Sequence, residues 1–228
     1  MIEGPRGLEF NFKDKNAQDG YYIRDMNGKE RQLLLVENTN QIADHAEATS
    51  TSVWDCSLLL SKYLENNANE WVFGKSILEL GSGLGLTGLG AAFLGAKKVY
   101  LSDTEAAIPT LNASIQLNGI SSICKAGVID WFHPPPIKSL GLGDHIDLIL
   151  CADIVWVLDL IEPLVSTIDK YSTSHTSVLI AHQTRSLAAD ELFFCSLKER
   201  GFSVQEIPFS DTIVQRETIK LYLARKSQ

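Results

Sequence analysis

The chain has 228 residues, 45% of them apolar and 21% charged, which suits one α/β domain and is too short for two of ordinary size. The net charge of −8 argues against general binding to nucleic acid or to an anionic membrane, and it permits a basic partner. No run approaches the roughly 18 apolar residues of a membrane span, and no N-terminal segment suits a signal peptide, so we expect an intracellular protein.

The four cysteines and five histidines do not have the spacing of a metal site. Cys56, Cys124, Cys151 and Cys195 are scattered without a C-x-x-C pair. We therefore predict no metal site. Three of the cysteines lie in apolar surroundings and are expected to be small core residues in a reducing compartment.

The first 50 residues are predicted to form an arm or hairpin that precedes the main domain at residues 51–228. They are polar and dotted with glycine, and Arg31 to Val36 is the first convincing strand. Thr51 and Ser52 then offer N-caps for the helix that follows.

The next segment predicts a strand, a glycine turn and a helix. Ile77 to Leu80 is a short apolar run, and Gly83 to Gly88 fits the pattern G-x-G-x-x-G, in which backbone N–H groups and a helix N-terminus face a nucleotide-like ligand. A second strand, Lys97 to Asp103, ends in a carboxylate 20 residues after Gly83, where it can bind the ribose of NAD or of S-adenosylmethionine. The alternative is a glycine turn that serves only tight helix–sheet packing.

Glu79 favours S-adenosylmethionine over NAD. It lies two residues before Gly81, so we expect its carboxylate close to the positively charged sulfonium and amino group of that ligand. The pyrophosphate of NAD would be repelled there. A glutamate that only caps a nearby loop is the other interpretation.

Two pairs of a carboxylate and a tryptophan follow later strands. Ile123 to Ile129 predicts a strand that ends in Asp130 and Trp131, and His145 to Asp153 predicts a buried strand followed by Trp156. The ends of such strands are where a doubly wound sheet binds its ligand, although carboxylates there are often caps.

The last third of the chain changes its alternation of elements. Helices are predicted at 157–171 and 187–200 around a strand at 177–182, and two strands with no helix between them follow at 202–208 and 218–224. Five β-α units and an antiparallel pair give a seven-stranded sheet, whereas a nicotinamide dehydrogenase has six parallel strands.

From about Val53 to Lys226 the sequence resembles the seven-β-strand, class I methyltransferases of family 16, the protein-lysine methyltransferases of the methyltransferase-like 21 group. The residues that carry this resemblance are Val53-Trp54-Asp55, Leu59 to Leu64, Ile77 to Gly83, Ser102-Asp103, Asp130-Trp131 and Ala152 to Trp156. The resemblance implies an α/β fold, with a Rossmann-like seven-stranded sheet, a C-terminal antiparallel hairpin and a short N-terminal extension.

The resemblance also implies S-adenosylmethionine as the cofactor and a lysine of an intracellular protein as the acceptor. The partner would be a chaperone, an elongation factor or an AAA ATPase. We expect a monomer that binds neither nucleic acid nor membrane, in the cytoplasm and also in the nucleus.

Two sets of site residues follow position by position from the resemblance and the strand ends. The residues expected around the cofactor are Trp54, Glu79, Gly81, Ser82, Gly83, Asp103, Asp130, Trp131 and Ala152. Asp153 and Trp156 would line the channel of the acceptor lysine, with Asp153 positioning the amine first and acting as a base second. The family usually has Asp-x-x-Tyr here, so Trp156 leaves any role of a tyrosine hydroxyl open, but an indole can still form an aromatic wall.

Two other functions stay open at this point. One is methylation of a small amine or of another protein side chain, and the other is a binding module that keeps the cofactor pocket and transfers nothing. The glycine turn, Asp103 and Asp153 argue against such a dead pocket, while Trp156 keeps it open. If Asp153 does not serve the acceptor, Gln183 and Arg185 after the fifth strand are the next candidates.

Overall fold

The computed structural model describes residues 20–25, 27–36, 52–209 and 218–227. The strands are β1 Gly20–Arg24, β2 Glu30–Leu34, β3 Ser76–Leu80, β4 Lys98–Asp103, β5 Cys124–Val128, β6 Leu148–Ala152, β7 Ser177–Gln183, β8 Phe202–Ile207 and β9 Ile219–Lys226. The α-helices are α1 Asp55–Asn66, α2 Ala68–Trp71, α3 Leu86–Phe93, α4 Ile108–Leu117, α5 Leu158–Tyr171 and α6 Leu187–Glu199.

Seven strands form one sheet in the order β5-β4-β3-β6-β7-β9-β8. The first five of these are parallel, and β9 runs antiparallel to both β7 and β8. This arrangement confirms the predicted seven-stranded sheet with a C-terminal antiparallel hairpin. The strands β3 and β6 lie in the middle and are buried along their whole length, which explains their almost continuous apolar sequences.

Two apolar layers cover the sheet. Successive residues of a strand point to opposite faces, so Ile77 belongs to one layer and Leu78 to the other. The first layer contains side chains of α1, α3 and α4, and the second contains side chains of α5 and α6. Helices on both faces leave the carboxyl ends of the parallel strands as the place for a ligand.

The N-terminal hairpin packs into the first layer. β1 pairs antiparallel with β2, and Ile23 and Leu33 are almost completely buried against α3. The backbone N–H of Leu34 also donates to Asn118 Oδ1 over 2.9 Å, next to the end of α4. The predicted hairpin is therefore present and contributes to the core. Residues 1–19 and 37–51 lie outside the described residues, so the domain boundary at residue 50 remains a prediction.

Several elements begin later than the sequence predicts: β6 begins at Leu148 rather than at His145, and two helices differ in the same way. α1 begins at Asp55, and its flanking residue Trp54 makes no side-chain capping hydrogen bond, so Ser52 is not the N-cap and Thr51 lies outside the described residues. The apolar spacing predicts a helix at 106–117, whereas α4 begins at Ile108 after a short 3-10 turn. Pro109 is accepted in the first turn of this helix, where no intrahelical N–H bond is needed.

Cys56, Cys124 and Cys151 are buried, as expected of small core residues, and Cys195 is exposed. Within the described part of the chain, no helix combines the length and the apolar character needed to cross a membrane.

Candidate active site

A cavity of about 760 Å³ opens at the carboxyl ends of the central strands. Its volume lies in the range of small-molecule sites, roughly 300–1,000 Å³. It is centred where the strand order reverses, since β3 has β4 on one side and β6 on the other. Ten of the eleven predicted site residues line it: Trp54, Gly81, Ser82, Gly83, Asp103, Asp130, Trp131, Ala152, Asp153 and Trp156.

The glycine turn after β3 is fastened to β4. The N–H of Ser82 donates to the carbonyl oxygen of Ser102 over 2.9 Å, and the N–H of Gly83 donates to Asp103 Oδ2 over 2.7 Å. Gly81 has a φ of 64°, and a Cβ at this position would lie 2.6 Å from Ile154 Cγ2. The turn therefore needs glycine both for its backbone angle and for its close approach to the cavity wall.

The last glycine of the pattern has a different purpose. A Cβ on Gly88 would lie 2.2 Å from Leu101 Cδ2 and 2.7 Å from Glu79 Oε2. Gly88 thus allows α3 to pack closely on β3 and β4. The packing interpretation of the motif holds for Gly88, while Gly81 and Gly83 line the cavity.

Asp103 lies at the end of β4 with both carboxylate oxygens engaged by backbone donors. Oδ2 accepts from Gly83, and Oδ1 accepts from the N–H of Thr104 over 2.7 Å. The hydroxyl of Thr104 also donates to Oδ1, over 3.3 Å, so the carboxylate is held in place by its neighbours on the turn and the strand. Its place on the cavity wall fits the predicted role at the ribose.

Glu79 is the one predicted site residue that does not line the cavity. It lies behind the glycine turn, is only 2% exposed, and accepts a hydrogen bond from the N–H of Gly88 over 3.1 Å. Burial raises the pKa of its carboxyl to about 8, and hydrogen bonds from Gly88, Ser82 and Thr87 oppose this shift. Its visible role is to support the turn from below, and direct contact with a bound cation remains a prediction.

Asp130 and Trp131 follow β5 and form another part of the wall. The N–H of Phe132 donates to Asp130 Oδ1 over 2.9 Å, and His133 Nδ1 lies 3.1 Å from Oδ2. The hydrogen bond from Phe132, followed by that from His133, lowers the pKa of Asp130. Asp130 thus organises the turn that places the indole of Trp131 in the cavity.

Asp153 has an unusual backbone conformation and a charged partner. Its φ is 57°, which is uncommon for a residue other than glycine, and its N–H donates to the carbonyl oxygen of Ala181 over 3.0 Å. Arg185 Nε donates to Oδ1 over 3.2 Å, and Nη2 donates to Oδ2, so the guanidinium binds both oxygens. The Asp153 side chain is 5% exposed and that of Arg185 is 34% exposed. The carboxylate is therefore held at the cavity wall by a two-point ion pair.

Two tryptophans flank this ion pair at the mouth of the cavity. Trp54 is 38% exposed and Trp156 is 42% exposed, so neither is an ordinary core residue. The guanidinium carbon of Arg185 lies 5.2 Å from the centre of the Trp54 ring, within the range of a cation–π contact. Aromatic faces and a carboxylate at an opening can bind the stem and the nitrogen of an amine.

Arg185, which is only a second-choice candidate in the sequence analysis, lines the cavity and binds Asp153. It stands in the loop after β7, and no motif marks it. The available signal was its place after the fifth strand of the main sheet, since the carboxyl ends of parallel strands meet at one edge. Ser57, Thr104 and Ile154 also line the cavity without any sequence signal.

The residues present fit S-adenosylmethionine. The wall combines a turn of close-approaching glycines, an acidic residue at the end of β4, and the indoles of Trp54 and Trp131, which suit an adenosine with a positively charged tail. Among the described residues, no group of three or more His, Cys, Asp or Glu side chains is arranged to hold a metal ion.

Comparison with solved structures shows the same architecture. A TehB-like S-adenosylmethionine-dependent methyltransferase from Corynebacterium glutamicum superposes with a TM-score of 0.55 at 18% identity, over 79% of this chain and 91% of that one. Magnesium protoporphyrin IX methyltransferase from Synechocystis, solved with bound S-adenosylmethionine, gives a TM-score of 0.53 at 17% identity, over 79% of each chain. These likenesses concern the fold.

Comparison of sequences is more specific. The profile of a family described as lysine methyltransferase matches residues 35–200. Protein N-lysine methyltransferase METTL21A from Danio rerio is 34% identical over 77% of each chain, and its Mus musculus counterpart is 31% identical over 76% of each. Protein-lysine N-methyltransferase EFM6 from Saccharomyces cerevisiae is 30% identical over 67% of this chain and 68% of its own.

The sheet order, the glycine turn and the cavity at the reversal of strand order define a class I, S-adenosylmethionine-dependent methyltransferase. With the profile matched over residues 35–200, the chain belongs to the lysine methyltransferase family. The resemblance noted in the sequence is thereby confirmed.

Proposed function

We propose that the acceptor is the side-chain amine of a lysine in a folded intracellular protein of the chaperone, elongation factor or AAA ATPase type. The observation that carries this proposal is the opening formed by Asp153, Trp54 and Trp156, beside the cavity assigned to the cofactor. The names of the relatives, which are protein-lysine methyltransferases, support a protein as the acceptor. The excess negative charge of the chain suits a partner that presents a lysine.

Bound S-adenosylmethionine supplies a methyl group that is already activated on a positively charged sulfur. The remaining task of the protein is to present a neutral amine in line with that methyl group. A free lysine has a pKa of about 10.4, so only about 0.04% of it is neutral at pH 7. Loss of a proton from the ammonium to water must therefore precede transfer.

Asp153 and Trp156 can perform this presentation. A lone-pair site on the Asp153 carboxylate accepts one N–H of the amine and so turns the nitrogen lone pair toward the donor. The ring of Trp156 lies along the lysine stem and excludes water from the opening. We assign Asp153 to positioning first, as in the sequence analysis.

The test is transfer of label into a whole proteome. The purified protein is incubated with tritiated S-adenosylmethionine and an extract of cells that lack this enzyme, and the labelled products are separated by size and hydrolysed. Labelled methyl-lysine in a protein band supports the proposal. Label in small amines supports the first alternative, label in another side chain contradicts lysine as the acceptor, and no label with intact cofactor binding supports a non-catalytic module.

We further propose that the protein acts as a monomer in the cytoplasm and also in the nucleus. Light scattering of the purified protein and imaging of a tagged chain test these two statements separately.

A further inference from the structure

The carboxylate at the opening raises a problem for methyl transfer. A lone carboxylate beside the acceptor would stabilise the ammonium form of lysine, because an opposite charge nearby favours the charged state. Only the neutral amine can attack the methyl group. Asp153 alone would therefore hold the acceptor well but in its unreactive form.

Arg185 changes the charge of this site. Its guanidinium binds both oxygens of Asp153, so the pair carries no net charge where the amine must enter. Arg185 occupies one lone-pair site on each oxygen, and the thiol of Cys56 is a further hydrogen-bond partner of the carboxylate. Of the roughly four lone-pair sites of a carboxylate, one is then left to accept an N–H from a neutral amine, while the attraction for an ammonium is weakened by the guanidinium.

The surroundings fix this arrangement. The side chain of Asp153 is almost fully buried, its backbone is held in the left-handed region, and the guanidinium of Arg185 makes a cation–π contact with Trp54. Because the guanidinium is bound at two points and also contacts an aromatic ring, it has little freedom to move away from Asp153. Both partners are thus positioned before the acceptor arrives.

Two other ionisable groups from α1 face the pair. Cys56 is buried against Asp153, and burial, followed by the charge of Asp153, raises the pKa of its thiol, so it stays neutral. Asp55 stands in the first turn of α1 beside a smaller recess that Arg185 and Trp54 also line. Its charge acts on Arg185 more weakly than the carboxylate of Asp153, which accepts hydrogen bonds directly from the guanidinium.

We propose that Arg185 is a positioning residue of the transfer reaction, which orients Asp153 and cancels its charge so that the opening selects a neutral amine over an ammonium. This inference rests on the proposed function, because it concerns the acceptor of that same site. Binding of the cofactor does not by itself assign a role to Arg185.

A binding experiment tests the charge selectivity without turnover. The protein is saturated with S-adenosylhomocysteine and titrated with n-butylammonium chloride near pH 7, and binding is followed by ligand-observed NMR. Arg185→Gln should bind the ammonium at least about tenfold more tightly than the parent, because the carboxylate is then uncancelled. Asp153→Asn combined with Arg185→Gln should lose this gain. Equal affinity in the parent and Arg185→Gln, or no detectable binding in either, would overturn the proposal.

The pH dependence of turnover provides the second readout, with the protein that the proteome experiment labels as the acceptor. The kcat profile reports groups in the enzyme–substrate complex, whereas kcat/KM reports the free species. Arg185→Gln should move the rising limb of kcat upward by about one pH unit, and so lower kcat near pH 7 about tenfold, without moving the corresponding limb of kcat/KM. In the double variant the limb should return toward its parental position.

Arg200→Gln is the matched control. Arg200 pairs with Glu162 over 3.0 Å, is 29% exposed, and lies at the opposite end of α6 from the cavity. Arg200→Gln should leave the ammonium affinity and the pH profile of kcat unchanged. Melting temperature and cofactor affinity verify that each variant is folded. Arg185→Lys keeps the positive charge but loses the planar guanidinium that binds both carboxylate oxygens, so its ammonium affinity and kcat profile should lie between those of the parent and Arg185→Gln.

The two proposals fail differently. If the parent labels no lysine, the proposed function is wrong whatever the ammonium titration shows. If the parent methylates a protein lysine but Arg185→Gln shifts neither ammonium binding nor the kcat profile, the function stands and Arg185 is only a structural partner of Asp153.

Discussion

The three carboxylates at or after the ends of β4, β5 and β6 lie at one edge of the sheet but have different partners. Asp103 accepts backbone N–H groups, Asp130 organises its own turn, and Asp153 is bound by a guanidinium. Substitution of each should therefore affect a different property: cofactor affinity, wall geometry and presentation of the acceptor.

Asp103→Ala should weaken binding of S-adenosylhomocysteine by about 1.5–3 kcal/mol, the scale for losing charge-assisted hydrogen bonds. The substitution removes the acceptor expected at the ribose and also the fastening of Gly83. Isothermal titration calorimetry measures the effect. Asp144→Ala, which removes an exposed charge outside the cavity, is the control. A dissociation constant unchanged in Asp103→Ala would remove Asp103 from the cofactor site.

Glu79 should make stability depend on pH. Its pKa in the folded protein, about 8, is above the ordinary value of 4.5, so the folded state binds this proton more tightly than the unfolded state. The resulting stabilisation is complete below the ordinary value and is lost as pH rises through about 8. Each unit of pKa difference corresponds to about 1.4 kcal/mol.

Glu79→Gln should therefore gain stability relative to the parent as the pH is raised. Urea unfolding of both proteins without cofactor, at about pH 5 and about pH 8.5, measures the difference. If both proteins show the same change between the two pH values, Glu79 does not carry this proton.

Asp153→Asn should lower turnover about ten- to a thousandfold while the affinity for the donor stays nearly unchanged, because the group positions the acceptor. Trp156→Tyr should retain activity if an aromatic wall is what the acceptor needs. Trp156→Ala should lose much more activity than Trp156→Tyr. Steady-state kinetics on the labelled acceptor and calorimetry with S-adenosylhomocysteine separate the two effects. Parental turnover in Asp153→Asn would place the acceptor elsewhere.

At the scale of elements, the hairpin and the glycine turn meet on α3. Gly88 lets this helix approach β4, and the other side of the helix is covered by Ile23 and Leu33 of the hairpin. α3 follows directly from the turn that lines the cavity. The hairpin is thus connected through one helix to the cofactor site.

Leu33→Ala should destabilise the protein by about 2–5 kcal/mol, the usual cost of a large-to-small change in a packed core. Gln32→Ala, on the exposed face of the same strand, should have little effect and serves as the control. Urea unfolding measures both. If Leu33→Ala is as stable as the control, β1 and β2 form an appended arm that adds nothing to the core.

At the scale of the whole molecule, the sheet order decides the ligand class. The antiparallel β9 between β7 and β8 distinguishes this sheet from an all-parallel dinucleotide-binding sheet, although both share the glycine turn. We expect binding of S-adenosylmethionine and its product but not of NAD.

A thermal shift experiment measures this preference. S-adenosylhomocysteine at about a hundredfold its dissociation constant should stabilise the protein by about 2.7 kcal/mol, which corresponds to about 5–10 °C in Tm. NAD at the same concentration should give no shift. A comparable shift with NAD would contradict the assignment of the turn.

The sequence alone determined the order of elements, the seven strands, the glycine turn and ten of the residues that line the cavity. The elements, the glycine turn and the carboxylates at strand ends follow from local signals, namely apolar runs, glycines and polar residues that a parallel sheet brings to one edge. Trp54 and Ala152 were expected only from the family resemblance. The helix starts at Asp55 and Ile108 were missed by about two residues, because capping depends on backbone geometry at each end.

Only the tertiary structure decided what these side chains contact. Glu79 was expected near the bound cation because it precedes Gly81, and the structure adds that it lies under the turn and accepts a hydrogen bond from Gly88, while its contact with the cofactor remains a prediction. Arg185 could be paired with Asp153 only after β7 was seen beside β6, since 32 residues separate the two in the chain. Local patterns specify elements, whereas charge pairing and burial arise where distant elements meet.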